Sequence, residues 1–304
     1  VIKVEAKPDG DPLRSLDPEA FERLNAGKKS VVLDLRSEEG KRAFRGLVTT
    51  ADVLVEGFRP GVMARLGLDY ESLRNEASRL VYLSLTGYGA SGPYRDRAGH
   101  DVNYLAAAGA LEGTLRPPVI QVADFAAGGL FAAVAVLSAL VGRTSGAPGR
   151  HIDLSMHHGA CSLMMLAEGE AASRLSGRFP NYALYRTRDG GRLSVGALEP
   201  KFWAAFCAGI GRPDLEARML DPEALPEVAR VIEAKDLAYW RERFSGIDAC
   251  VEAVASPEIA RAHPQALHRG VSSRFSLPFP GGGIHLGRAP RLGEHTAKVL
   301  SNLG

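Results

Sequence analysis

Three side chains sit where the chain changes character, and each could move a proton. His100 lies in Ala98-Gly99-His100-Asp101, at a loop-to-helix junction. An imidazole accepts and returns a proton near neutral pH, although a histidine at such a junction, read alone, is a helix-cap or surface residue. Asp124 immediately precedes an apolar stretch, where a carboxylate can cap free backbone N–H groups or act as a nucleophile. Glu199 precedes Pro200, a residue suited to the first helical turn, so Glu199 stands at a helix start and reads equally as a cap. Arg14, Arg36, Arg59 and Arg65 could hold phosphates bidentately or stack on a ring, but each alone reads as a solvated charge. His151, His157 and His158 invite a metal reading. They lack a compatible ligand set, so solvent or packing roles, and no metal, are expected.

Those residues must be held by a framework, and the bulk properties bound it. The chain has 304 residues, 45% hydrophobic and 24% charged, which allows a sizeable core in one large or two smaller domains. A net charge of +2 argues against a broad cationic surface for nucleic acid and leaves room for a local basic pocket. Cys161, Cys207 and Cys250 are far apart, so a disulfide framework is not expected and a reducing, cytoplasmic compartment is. A signal peptide is not expected, and the sequence opens on what reads as a strand already in progress. Phe125 to Gly142 carries no charge over 18 residues, the lower limit for a membrane span. Its Ala and Gly content and the preceding Asp124 favour a buried helix and no membrane.

The first part alternates short apolar runs with helical patterns. Val1–Glu5, Val31–Leu35, Val53–Val55 and Leu80–Leu85 read as strands, and Ser37 caps a helix running to about Thr50. Strands separated by helices imply βαβ units, a parallel sheet and a Rossmann-like layer. No G-x-G-x-x-G follows any strand, which weakens a dinucleotide-cofactor reading. The stretch from about His100 to Leu175 reads as helical, broken by Pro117-Pro118 and a turn over Gly146–Arg150. Tyr182–Thr187 and Leu193–Ala197 flank Asp189-Gly190-Gly191, a hairpin signal. Short helices follow at Pro200–Ile210, Pro226–Lys235 and Leu237–Phe244, and Pro278–Gly283 reads as an exposed loop.

Several stretches, taken in order, resemble the family III CoA-transferases (CaiB/BaiF), and within them the α-methylacyl-CoA racemase branch. They are VIKVE followed by GDPLR, NAGKKSVVLDLR, ADVLVEGFRPGVMARLGL, LSLTGYGASGPYRDRAGHDVNY, VADFAAGG with the later GRHID, YRTRDGGRLSVGALEPKF, and LGEHT near the end. In family members a further β-α unit, roughly 30 residues by the usual size of such units, precedes VIKVE, the stretch on which the sequence opens. The stretches Leu111–Val119 and Leu175–Tyr182 are also shorter.

The resemblance implies an α/β fold: a Rossmann-like parallel-sheet large domain (1–175), a smaller α+β domain (176–255) and a C-terminal segment (256–304) returning to the large domain, in an interlaced homodimer. It implies an acyl-CoA substrate, with no cofactor beyond the coenzyme A that the substrate carries. Racemisation of a 2-methylacyl-CoA needs a base on one face of the α-carbon and an acid on the other. The resemblance assigns these to His100 and Asp124, with Glu199 paired to the histidine and raising its basicity. Histidine at this position is generally absent from the family's transferases. Transfer of CoA to a carboxylic acid is the alternative, with Asp124 as nucleophile. A non-catalytic CoA-binding relative is a third reading. Coenzyme A itself is expected at Arg14, Leu35, Arg36, Gly57, Phe58, Arg59 and Arg65.

Overall fold

The apolar runs of the first half become parallel strands. The computed structural model describes residues 1–114, 116–167, 169–271 and 287–303. Strand β1 (Ile2–Glu5) pairs with β2 (Lys29–Val32), and β3 (Val53–Glu56), β4 (Val81–Thr86) and β5 (Arg150–Ser155) form a second parallel sheet in that order. Parallel neighbours need crossover connections. The helix Glu38–Thr49 follows β2, with Ser37 Oγ accepting the Gly40 N–H at 3.0 Å. Only glycine fits at position 40, because a Cβ there would lie 2.0 Å from the Asp34 carbonyl oxygen. Phe44, Leu47 and Val48 of this helix bury against Val31, Leu33 and Tyr82.

The chain divides into two compact units, Val1–Met164 with Arg274–Gly304, and Met165–Ser273. The second unit holds the expected hairpin, β6 (Tyr182–Arg186) and β7 (Arg192–Gly196), extended antiparallel by β8 (Val251–Ala253). Gly190 turns it with φ +79°. Trp203, Phe206, Ile232 and Trp240 form its core with Leu193 and Val195. The loop expected at Pro278–Gly283 lies outside the described residues.

Three expectations need correction. Strand β2 ends at Val32 rather than Leu35, because the Asp34 carboxylate accepts the Arg36 N–H at 3.0 Å and turns the chain. Arg150–Ser155, in the stretch expected to be helical, is instead a strand. Its sequence RHIDLS alternates without a run of β-branched residues, and its strand character comes from pairing along all six residues of β4.

The third correction concerns the apolar helix. It runs from Val122 to Thr144, with π-helical turns over Val122–Leu130 and α-helix over Phe131–Thr144. It is not buried. Small residues (Ala123, Ala127, Ala132, Ala139) face the interior, whereas Phe125, Leu130, Val134, Leu137 and Val141 are exposed. Among the described residues this is the one helix long and apolar enough to cross a membrane by length and composition, and 22% of it is buried.

The C-terminal residues complete the first sheet. At the two ends of β2, the Lys29 and Leu33 N–H groups donate to the carbonyls of Val1, just before β1, and of Glu5, its last residue. The Ser30 and Val32 N–H groups point the other way, to His295 Nδ1 (3.3 Å) and Thr296 Oγ1 (3.0 Å). A polar knot ties the layers: buried Glu5 accepts from Arg14 Nε and Nη2 (2.9 and 2.8 Å) and from Ser30 Oγ (2.6 Å), and Ser30 Oγ accepts the Gly293 N–H. Burial alone would raise the Glu5 pKa, but the hydrogen bonds from Arg14, Ser30 and the Asp11 N–H, with the Arg14 charge, bring it below the ordinary glutamate value. Glu5→Gln therefore leaves the partly buried Arg14 guanidinium without its counter-charge and is expected to lower unfolding free energy by about 2 kcal/mol at neutral pH. A depressed carboxyl pKa stabilises the fold above the unfolded value, and that stabilisation is lost as pH falls through the folded one. Urea unfolding across pH should thus show the gap between wild type and variant closing toward acid; a gap independent of pH would refute the assignment.

Candidate functional site

The C-terminal ends of β3 and β4 open onto a cavity of about 410 Å³, closed on its other side by the loop leading to His100. In open parallel sheets ligands bind beyond the carboxyl ends of the strands. Gly57, Phe58 and Arg59 follow β3; Leu85 to Tyr88 leave β4; Arg95, Arg97 and His100 come from the loop. The Glu56 carboxylate accepts the Phe58 N–H at 2.8 Å and fixes the turn after β3, leaving Phe58 and Arg59 exposed.

The loop keeps its shape by wrapping one aromatic ring. Tyr104 is buried, and its hydroxyl donates to the Gly99 carbonyl at 2.6 Å. A Cβ on Gly87 would lie 2.5 Å from the Tyr104 ring, and one on Gly99 2.7 Å, so both positions admit only glycine without displacing the ring. Tyr88 packs edge-on to Tyr94 and Tyr104. The Gly87 carbonyl accepts the His157 N–H and the Ser155 hydroxyl, which pins the end of β4 to the end of β5.

His100 is the N-cap residue of the helix Asp101–Ala107, and Asn103 Oδ1 accepts its backbone N–H at 3.0 Å. Its imidazole is on the cavity wall and exposed. Asp124 is not the cap of the apolar helix; it sits in the first π-helical turn, and Gln121 holds the cap position. The Asp124 backbone N–H donates to Asp101 Oδ1 at 2.9 Å. Burial first, and the charge of Asp101 second, push the Asp124 carboxyl above the ordinary aspartate range, while His100 acts in the opposite direction. Tyr104 is raised as well, by burial and then by Asp124. Of these residues His100 and Tyr104 line the cavity, whereas Asp101 and Asp124 are not among its lining residues and meet each other through the Asp124 N–H.

The other candidates are distributed. Arg65, on the helix Val62–Leu66, approaches Arg95 over Gly61: a Cβ there would lie 3.3 Å from Arg65 Nη1 and 3.4 Å from Arg95 Nη2. Arg14 does not line the cavity; its guanidinium is taken by Glu5 and the Pro290 carbonyl and lies over the Phe21 ring. Leu35 packs against the core of the first unit, and Arg36 is exposed in the turn after β2. Glu199 belongs to the second unit, an exposed N-cap of the helix Pro200–Gly209 whose side chain makes no capping hydrogen bond. His151 stacks on Tyr70 and bonds Ser84 Oγ at 2.9 Å, a packing role. No cluster of His, Cys, Asp or Glu placed to hold a metal occurs among the described residues.

Sequence reasoning did not single out Arg95, Arg97, Asp101 or Tyr104. All four lie within or beside the stretch that resembles known sequences, but no spacing rule isolates an arginine in a loop or an aspartate in a first helical turn.

The family model described as CoA-transferase family III matches residues 1–302. An alpha-methylacyl-CoA racemase from Homo sapiens is 37% identical over 93% of this chain and 82% of its own. A succinate–glutarate CoA-transferase from Agrobacterium fabrum is 30% identical over 100% and 88%. The crystal structure of a CAIB/BAIF family protein from Brucella suis superposes with a TM-score of 0.80 at 26% identity, covering 100% of this chain and 92% of that one.

Proposed function

Since the chain belongs to CoA-transferase family III and is an enzyme of that family, we propose that it racemises 2-methylacyl-CoA thioesters by moving the α-proton between two bases. The reading rests on one observation: Asp101, which follows His100 at the start of the helix Asp101–Ala107, accepts the Asp124 N–H at 2.9 Å and so brings Asp124 to the helix start that carries His100. The thioester carbonyl acidifies the α-proton. One of the two residues takes that proton, leaving an enolate, and the other gives a proton to the opposite face. The two residues end with exchanged protonation states and return through solvent, so no net proton is gained or lost. No cofactor takes part beyond the coenzyme A of the substrate.

CoA transfer is kept as the second reading, because the curated relatives include transferases and Asp124 would serve as its nucleophile. The two readings separate cleanly. Incubation of one enantiomer of a 2-methylacyl-CoA in deuterated water should mix enantiomers and place deuterium at the α-carbon; His100→Ala should abolish the mixing and leave deuterium exchange only in the enantiomer whose α-proton faces Asp124. Hydroxylamine should trap nothing at Asp124. Trapped Asp124 with normal turnover in His100→Ala would establish the transferase instead.

The coenzyme is assigned to Arg59 and Arg95, which line the cavity, and to Arg65, which lies near Arg95 across Gly61. Arg36, Leu35, Gly57 and Phe58 are kept as contacts at the strand ends. Guanidinium groups suit phosphate through bidentate hydrogen bonds. Replacing Arg59 and Arg65 together by Ala is expected to weaken CoA binding at least roughly tenfold, the worth of a single charge-assisted hydrogen bond, with thermal unfolding unchanged. Calorimetry returning the wild-type affinity would remove these residues from the pocket.

The same reading brings a homodimer with interlaced chains. It is supported by the row of exposed apolar side chains Phe125, Leu130, Val134, Leu137 and Val141, since such a contiguous patch marks an interaction surface. Light scattering at micromolar concentration should report twice the chain mass; a stable, active monomer would sink the dimer.

A further inference from the structure

Asp101 follows His100 directly, yet the two side chains have opposite fates. The imidazole is exposed, whereas Asp101 is buried, 3% accessible. Buried carboxylates need partners. The partner here is a backbone group 23 residues away in sequence, the N–H of Asp124, at 2.9 Å. An acidic residue in a first helical turn needs no such contact, because the helix dipole alone favours it there.

We propose that Asp101 is a positioning residue for Asp124: its buried carboxylate receives the Asp124 N–H and keeps a negative charge beside the Asp124 carboxylate, so that Asp124 can hold a proton as well as surrender one. The inference rests on the racemase reading, in which Asp124 must alternate between base and acid.

The geometry supports each part. The hydrogen bond holds the first π-helical turn against the start of the helix Asp101–Ala107, so the Asp124 backbone is placed relative to His100. Two carboxylates in one partly desolvated site disfavour double ionisation. A carboxyl whose proton affinity lies nearer the working pH is the better acid–base catalyst. The other groups facing Asp124 do not replace Asp101. His100 acts in the opposite sense, and Tyr104 directs its hydroxyl to the Gly99 carbonyl. From the helix Met156–Leu163, Met156 lies over Gly128, and His157 turns toward Tyr88 and Cys161.

The test uses two variants of the full chain. Asp101→Asn keeps an acceptor oxygen for the Asp124 N–H but removes the charge, and Asp101→Glu keeps both. With one enantiomer of a 2-methylacyl-CoA in deuterated water, Asp101→Asn should retain its KM, lose roughly tenfold in kcat, and move the acidic limb of its kcat/KM profile to lower pH. Asp101→Glu should hold that limb near the wild-type position. Carbon-13 carboxyl titration, with the Asp124 signal identified by its loss in Asp124→Asn, should shift to lower pH in Asp101→Asn alone. An unmoved limb and an unmoved titration in Asp101→Asn would overturn the proposal, as would identical profiles for Asn and Glu. If the wild-type protein exchanges no α-proton, the racemase reading falls, and the carboxyl titration alone decides the electrostatic role of Asp101.

Discussion

A buried carboxylate that finds its partner on another segment constrains everything around it. Asp101 is removed from water and bonded to the backbone of Asp124; without that bond a buried anion would stand unpaired, at a cost of several kcal/mol. The apolar helix must therefore begin where Asp101 is. Its first turns are π-helical, a conformation that recurs at functional sites. Close packing keeps them in place: a Cβ on Gly159 would lie 2.4 Å from the Ala127 carbonyl, so the two helices touch backbone to backbone. Larger residues at Ala127 or Gly159 would push the start of the apolar helix away from His100.

The cavity is a consequence of parallel pairing. Strands β3 and β4 run the same way, so their following loops emerge at one edge. That puts the Gly57–Pro60 turn and the Thr86–Tyr88 turn side by side. The Tyr104 ring then decides the shape of the wall, since the chain passes it twice at glycines, at positions 87 and 99. Glycine matters here for close approach to a ring and not for unusual backbone angles. The arginines that line the cavity, Arg59, Arg95 and Arg97, come from loops, whereas Asp101 and Asp124 come from helix starts and do not line it.

The knot at Glu5 holds a different part of the first unit. Arg14, a phosphate candidate by its type, is used up there, and the C-terminal LGEHT stretch supplies the groups that satisfy the free side of β2. An arginine that reads as a phosphate ligand and a short C-terminal motif known only by resemblance act together as a clasp in three dimensions.

Local patterning alone determined much of this protein. The capped helix after Ser37, the strand cores of β1, β3 and β4, and the Asp189-Gly190-Gly191 hairpin follow from β-branched runs, a capping serine and glycine turn chemistry, all of which act within a few residues. The pairing of His100 with Asp124 comes from resemblance, since nothing in their spacing joins a loop histidine to an aspartate 24 positions on. Tertiary structure decided the rest. It made Arg150–Ser155 a strand by giving it a neighbour, and it turned the large residues of the apolar helix outward by packing the small ones inward. It also drew Asp101 into the interior against the Asp124 N–H. Burial is a property of what lies across from a residue, and a linear sequence does not contain that distance.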